Sequence, residues 1–155
     1  MTNYENLVAE CNSYGINVIE LSLDNSKACG KCIGKTIIIN KNISEKEKYC
    51  VLCEELGHYH LTIGNITNQT KLSNKKQEVL ARRWAYRKNV GLIDLIDAFK
   101  AGCKTKYEIA EFLNVTPKYL EEAISYYKSK YGIDYVIDCY HIIFSPSFFI
   151  GKIIV

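Results

Sequence analysis

Glu54-Glu55-Leu56-Gly57-His58, followed twenty residues later by Glu78, is the part of this chain best equipped for chemistry. The run lies one residue away from H-E-x-x-H, in which two ligands at i and i+4 share a helix face. The Glu beside the first ligand acts as general base on water at the metal. Here Glu54 stands where the first His would be, Glu55 holds the base position and His58 the second ligand position. Glu78, from the next helix, would be the third ligand and leave a fourth position open, as catalytic zinc requires. Glu55 would then take a proton from the attacking water and hand it to the leaving amine.

The carboxylate at position 54 has a physical cost. A His/His/Glu set leaves zinc with a local charge of about +1, whereas Glu/His/Glu makes it about neutral. Slower hydrolysis, or tolerance of harder metals such as manganese, is therefore expected. The plainer alternative is an ordinary charged helix, with Glu78 paired to Arg82 at i,i+4 on an exposed face.

The cysteines offer a rival metal site. Cys29-Gly30-Lys31-Cys32 and Cys50-Val51-Leu52-Cys53 form C-x2-C-x17-C-x2-C, within zinc-ribbon spacing. A ribbon would make the chain a binding module held by structural zinc. Against it, the second pair falls inside a capped helix and lacks the glycines of a ribbon turn. Cys50 and Cys53 read better as small core-facing residues. Cys29 and Cys32 could also form a redox pair in a loop.

These residues need elements to hold them. Tyr4 to Ser13 reads as an amphipathic helix stopped by Gly15. Ile16 to Leu23 alternates like a half-buried strand, Asp24 to Gly34 reads as a polar loop, and Lys35 to Asn40 as a second strand. Ser44-Glu45-Lys46-Glu47 is a capping box opening a helix that runs to about Leu61. The motif therefore sits on a helix after a β-segment. Thr62 to Thr70 reads as a loop containing two Asn-X-Thr sequons, at Asn65 and Asn68. Asn74 is expected to cap a helix from Lys75 to Asn89 that carries Glu78. Helices follow over roughly 92–101, 104–113 and 117–131. Tyr135–Ile137 and Ile142–Phe144 suggest a terminal hairpin or docked tail.

The bulk numbers agree with an enzyme-sized globular chain. Its 155 residues are 48% hydrophobic and 24% charged, enough for a sizeable core. A net charge of +3 does not by itself call for nucleic acid. The first residues lack a signal-peptide pattern, and no apolar run is long enough for a membrane span. Seven cysteines, an odd number, fit reduced thiols in the cytoplasm. A soluble cytoplasmic protein is expected, with no membrane association and no stable oligomer.

Two blocks together are more specific than either alone. Glu45-Lys46-Glu47-Lys48-Tyr49-Cys50-Val51-Leu52-Cys53-Glu54-Glu55-Leu56-Gly57-His58-Tyr59 resembles the active helix of ImmA/IrrE-type metallopeptidases of prophages and integrative elements. So does Lys76-Gln77-Glu78-Val79-Leu80-Ala81-Arg82-Arg83-Trp84-Ala85. The resemblance runs from the Thr36–Asn40 strand to about Gly132. It implies a zincin-like α+β fold, zinc as cofactor, and cleavage of a helix-turn-helix repressor. By matching positions, Glu54, His58 and Glu78 would be the metal ligands and Glu55 the base. The sequence departs from the fuller pattern at Glu54, where His is expected. On this reading residues 1–90 form the zincin-like core, with a small N-terminal sheet on the active helix. Residues 91–155 form a helical, helix-turn-helix-like module with a terminal hairpin or tail, packed with the core as one unit.

Three further features have functional and plain readings. Lys104 to Tyr131 has helix-turn-helix spacing, but its five Lys against four Glu leave only +1, less basic than a DNA reader. A packing module or docking surface suits it better, and nucleic acid is not the expected partner. Residues 71–88 hold seven Lys and Arg against Glu78 alone, either a solvated face or an attractor of an acidic segment. His60 should point about 200° away from His58 and stay out of its metal set. His141, in an apolar tail, could serve above the site as an oxyanion stabiliser or replacement ligand, or be a core residue. Alternatives to the peptidase are a non-catalytic repressor binder on the same fold and a DNA-binding regulator.

Overall fold

The computed structural model describes residues 1–23, 29–62 and 71–154, with the side chains of 62 and 71–74 not described. The fold is α+β. It divides into two compact units, Met1–Asn89 and Val90–Val155. None of the described helices is long and apolar enough to cross a membrane.

The first unit opens with α1 (Asn3–Ser13), started by a Thr2–Glu5 capping box and buried through Tyr4, Leu7 and Cys11. Strands β1 (Asn17–Leu21), β2 (Gly30–Ile33) and β3 (Thr36–Asn40) form one sheet in the order β1-β3-β2. β1 runs parallel to β3 with Ile19 beside Ile38, and β2 runs antiparallel to β3 with Cys32 beside Ile37. The central strand turns Ile37 and Ile39 into the core. Their β-branched side chains suit a pleated, buried face.

Helix α2 (Glu45–Thr62) packs on this sheet and on α3 (Lys71–Asn89). Ser44 starts α2 as expected: its hydroxyl accepts from the Glu47 amide at 3.2 Å and donates to the Glu47 carboxylate at 3.1 Å. Leu52, Cys53 and Leu56 of α2 and Ala81 and Ala85 of α3 are fully buried. The helices meet closely because small residues line the seam. A Cβ on Gly57 would lie 2.8 Å from the Ala81 carbonyl oxygen and 3.2 Å from the Trp84 ring.

Three expectations for this unit need correction. Residues 30–33 are a strand rather than loop, because hydrogen bonds to β3 outweigh the weak β-preference of Gly-Lys-Cys. The start of the expected loop, Asp24 to Ala28, lies outside the described residues, as do the sequons at Asn65 and Asn68. Helix α3 begins at Lys71, so Asn74 is inside the helix and does not cap it. The first strand is also shorter than expected, ending at Leu21.

The second unit contains α4 (Leu92–Lys100), α5 (Lys106–Leu113) and α6 (Pro117–Tyr131). A left-handed Asn114 ends α5, and Thr116 caps α6 through the Tyr119 amide at 3.2 Å, with Pro117 in the first turn. α5 and α6 thus lie close to the expected helices at 104–113 and 117–131. The tail is more than a hairpin. Strands β4 (Asp134–Ile137), β5 (Tyr140–Ile143) and β6 (Phe149–Lys152) form a three-stranded antiparallel sheet. The Tyr127 hydroxyl donates to the Val90 carbonyl at 2.8 Å, tying α6 to the start of the unit.

Candidate metal centre

α2 and α3 bring together the three residues expected to bind metal. One ligand atom each from Glu54, His58 and Glu78 can be chosen so that all lie within 4.8 Å of one another. Tetrahedral zinc with ligands at about 2.1 Å needs them about 3.4 Å apart, so small side-chain rotations suffice. Glu54 and His58 are one turn apart on α2, with side chains 25% and 17% exposed. Glu78 reaches them from α3, and its Oε1 lies 3.2 Å from His58 Nε2. The seam at Gly57 and Ala81 sets this reach, since Glu78 is one turn from Ala81. The donor chemistry and the spacing fit a zinc ion.

Glu54 is not idle in this arrangement. Its Oε1 lies 3.3 Å from Arg82 Nε. The i,i+4 pairing of Arg82 with Glu78 is therefore replaced by a bond across the helix seam. Burial pushes the Glu54 carboxyl up, and Arg82 opposes that shift.

Glu55 sits beside the cluster with a proton affinity suited to a base. Burial raises its carboxyl to about 7, helped by the charges of Glu54 and Glu78. The Cys32 amide donates to that carboxylate and works the other way. A second glycine makes this contact possible. A Cβ on Gly30 would lie 2.5 Å from Val51 Cγ1 and 3.3 Å from Glu55 Cγ, so only glycine lets β2 close on α2 here. Gly30 and Cys32 share one face of β2. Sequence reasoning missed β2 and with it the amide that meets Glu55, the residue expected as base.

The thiols do not form a rival centre. Among the described residues, Glu54, His58 and Glu78 are the one group of three or more metal-capable side chains. Cys50 and Cys53 are buried, and burial pushes the Cys53 thiol well above its ordinary range. Cys29 and Cys32 bracket two residues of extended chain, about 10 Å of reach, beyond the 7 Å limit for a disulfide. The loop redox pair is therefore excluded in this conformation.

The other histidines have separate occupations. His60 packs against the rings of Tyr14, Tyr59 and Trp84, with centroids 5.5, 5.4 and 5.2 Å away. His141, in the second unit, places Nε2 2.6 Å from Asp134 Oδ2 and is 35% exposed, so it is no core residue. Val136 pairs with His141 across β4 and β5, which makes Asp134 its diagonal neighbour.

A small sheet on a helix carrying E-E-x-x-H, with an acidic third residue from the next helix, is the arrangement of a metallopeptidase. The chain belongs to the M78 peptidase family, whose IrrE N-terminal-like domain profile matches residues 11–125. No curated protein matches the chain, and no solved structure does.

Proposed function

We propose that this chain is a zinc-dependent endopeptidase that cuts a helix-turn-helix repressor in the cytoplasm. The observation that carries the reading is the convergence of Glu54, His58 and Glu78 beside Glu55. Membership of the M78 peptidases supports the reaction class. Glu54, His58 and Glu78 would hold the metal. When bound, zinc supplies the Lewis acidity that polarises a peptide carbonyl and makes water a better nucleophile.

The remaining work belongs to the chain. Glu55, raised to about 7, can accept a proton near neutral pH and still release it to the leaving amine. The Cys32 amide orients its carboxylate. α2 and α3 fix the relative positions of ligands and base.

One observation favours a second reading, a non-catalytic binder of the same repressor. The Arg82–Glu54 pair stabilises the carboxylate at 54 without any metal. A single experiment separates the two. Zinc content and repressor cleavage are measured by mass spectrometry on wild type, Glu55→Gln and His58→Ala. An enzyme binds one zinc in wild type and Glu55→Gln, cuts only as wild type, and loses both properties in His58→Ala. Repressor binding with no cleavage and no zinc requirement would leave only the binder.

A further inference from the structure

The exposed side of α3 has a character that the metal centre does not use. Glu78 and Arg82 turn toward α2, and Ala81 and Ala85 are buried. Beyond them, Lys75, Val79 and Arg83 form one i,i+4 stripe and Lys76 and Leu80 a second. Val79 and Leu80 are 44% and 49% exposed. These five residues line an open concavity of about 330 Å³. Two apolar side chains thus lie among three cations, next to the residue that supplies the third ligand.

Two of these cations, Lys75 and Lys76, are not neutralised by any of the described residues. On α3, Lys88 is paired with Glu10 and Arg82 with Glu54. The one acidic residue of 71–88, Glu78, lies against His58. Lys75 and Lys76 have no ion-pair partner among the described residues. An occupant must therefore bring carboxylates, and it must also bring apolar side chains to cover Val79 and Leu80. A phosphate backbone satisfies only the first demand.

We propose that this face docks an acidic, amphipathic segment of a protein partner, with Lys75 and Lys76 meeting its carboxylates and Val79 and Leu80 its apolar stripe. The role assigned to the docked chain, delivery of a substrate to the metal centre, rests on the peptidase reading above. The docking needs neither metal nor Glu55. Exposed apolar residues ringed by charge mark interaction sites on other proteins, and such charge steers encounter as well as fixing register.

The test uses full-length Glu55→Gln protein stripped of metal, so that failure of catalysis cannot be confused with failure of docking. The probes are an 18-residue Glu/Leu peptide with leucines at helical spacing, the same composition scrambled, and a short DNA duplex. Binding is read by fluorescence anisotropy at two salt concentrations. The patterned peptide should bind at least about tenfold tighter than the scrambled one and the duplex. Lys75→Glu/Lys76→Glu and, separately, Val79→Ser/Leu80→Ser should each weaken it about tenfold, with melting temperatures unchanged because all four residues are exposed. Equal binding of the scrambled peptide, no effect of either pair of substitutions, or tighter binding of the duplex would each overturn the proposal.

Discussion

Gly57→Ala tests whether the α2–α3 seam sets the metal centre. The added Cβ would lie 2.8 Å from the Ala81 carbonyl oxygen, about 0.6 Å inside the 3.4 Å where ordinary contact begins. The obstacle is backbone, so no rotamer change relieves it, and the helices must part by a similar amount. Overpacking of this kind costs about 1–3 kcal/mol. Alanine returns about 1 kcal/mol of helix propensity over glycine. A net loss of about 1 kcal/mol is expected in urea unfolding of the metal-free protein. Zinc affinity should fall more visibly. Ligand distances hold to about ±0.2 Å, and Glu78 sits on the helix that must move. Chelator competition should report a loss of about tenfold or more, the scale of losing a supporting contact in a metal site. A variant stabilised by about 1 kcal/mol, as propensity alone dictates, with unchanged zinc affinity would refute the argument.

Other consequences follow from single contacts. Arg82→Gln removes a cation that competes for Glu54. Zinc affinity should rise about threefold or more, while stability barely changes because Arg82 is 55% exposed; isothermal titration showing weaker binding would contradict this. Burial pushes the Cys11 thiol up to about 11. Its thiolate fraction at pH 8 is then about one in a thousand, rising as pH climbs toward 11. Timed alkylation with peptide mapping should label exposed Cys29 first and leave Cys11, Cys50 and Cys53 protected until unfolding. Thr116→Ala removes the cap on the Tyr119 amide and should cost about 1 kcal/mol, seen as a lower denaturant midpoint.

What could be read from the sequence was what local rules decide. Ser44 with Glu47 announced the start of α2, since capping acts within one turn. The i,i+4 spacing placed Glu54 and His58 on one face, and the chain brings Glu78 to them as the motif requires. What stayed hidden depends on distant partners. Gly30–Ile33 is a strand only because β3 lies alongside. β6 likewise depends on β5. The Arg82–Glu54 pair spans 28 residues and displaces the local pairing with Glu78. Asn74 misled because a good capping residue also tolerates a helix interior when the preceding turn is already formed.

The two polar pairs across the α2–α3 seam bear on how the protein could be switched on. His58 Nε2 lies 3.2 Å from Glu78 Oε1 and Arg82 Nε 3.3 Å from Glu54 Oε1, so each group of the cluster already has a polar neighbour across the seam. A zinc finger without metal unfolds, because its ligands have nothing else to hold them together. Here the ligand side chains stand on two helices packed against each other through Leu56, Ala81 and Ala85, so a metal ion would have to draw Glu54 from Arg82 rather than fold the chain. Folding and metal loading would then be separate events. On the peptidase reading, a change in available metal alone would act on finished molecules, with no new synthesis.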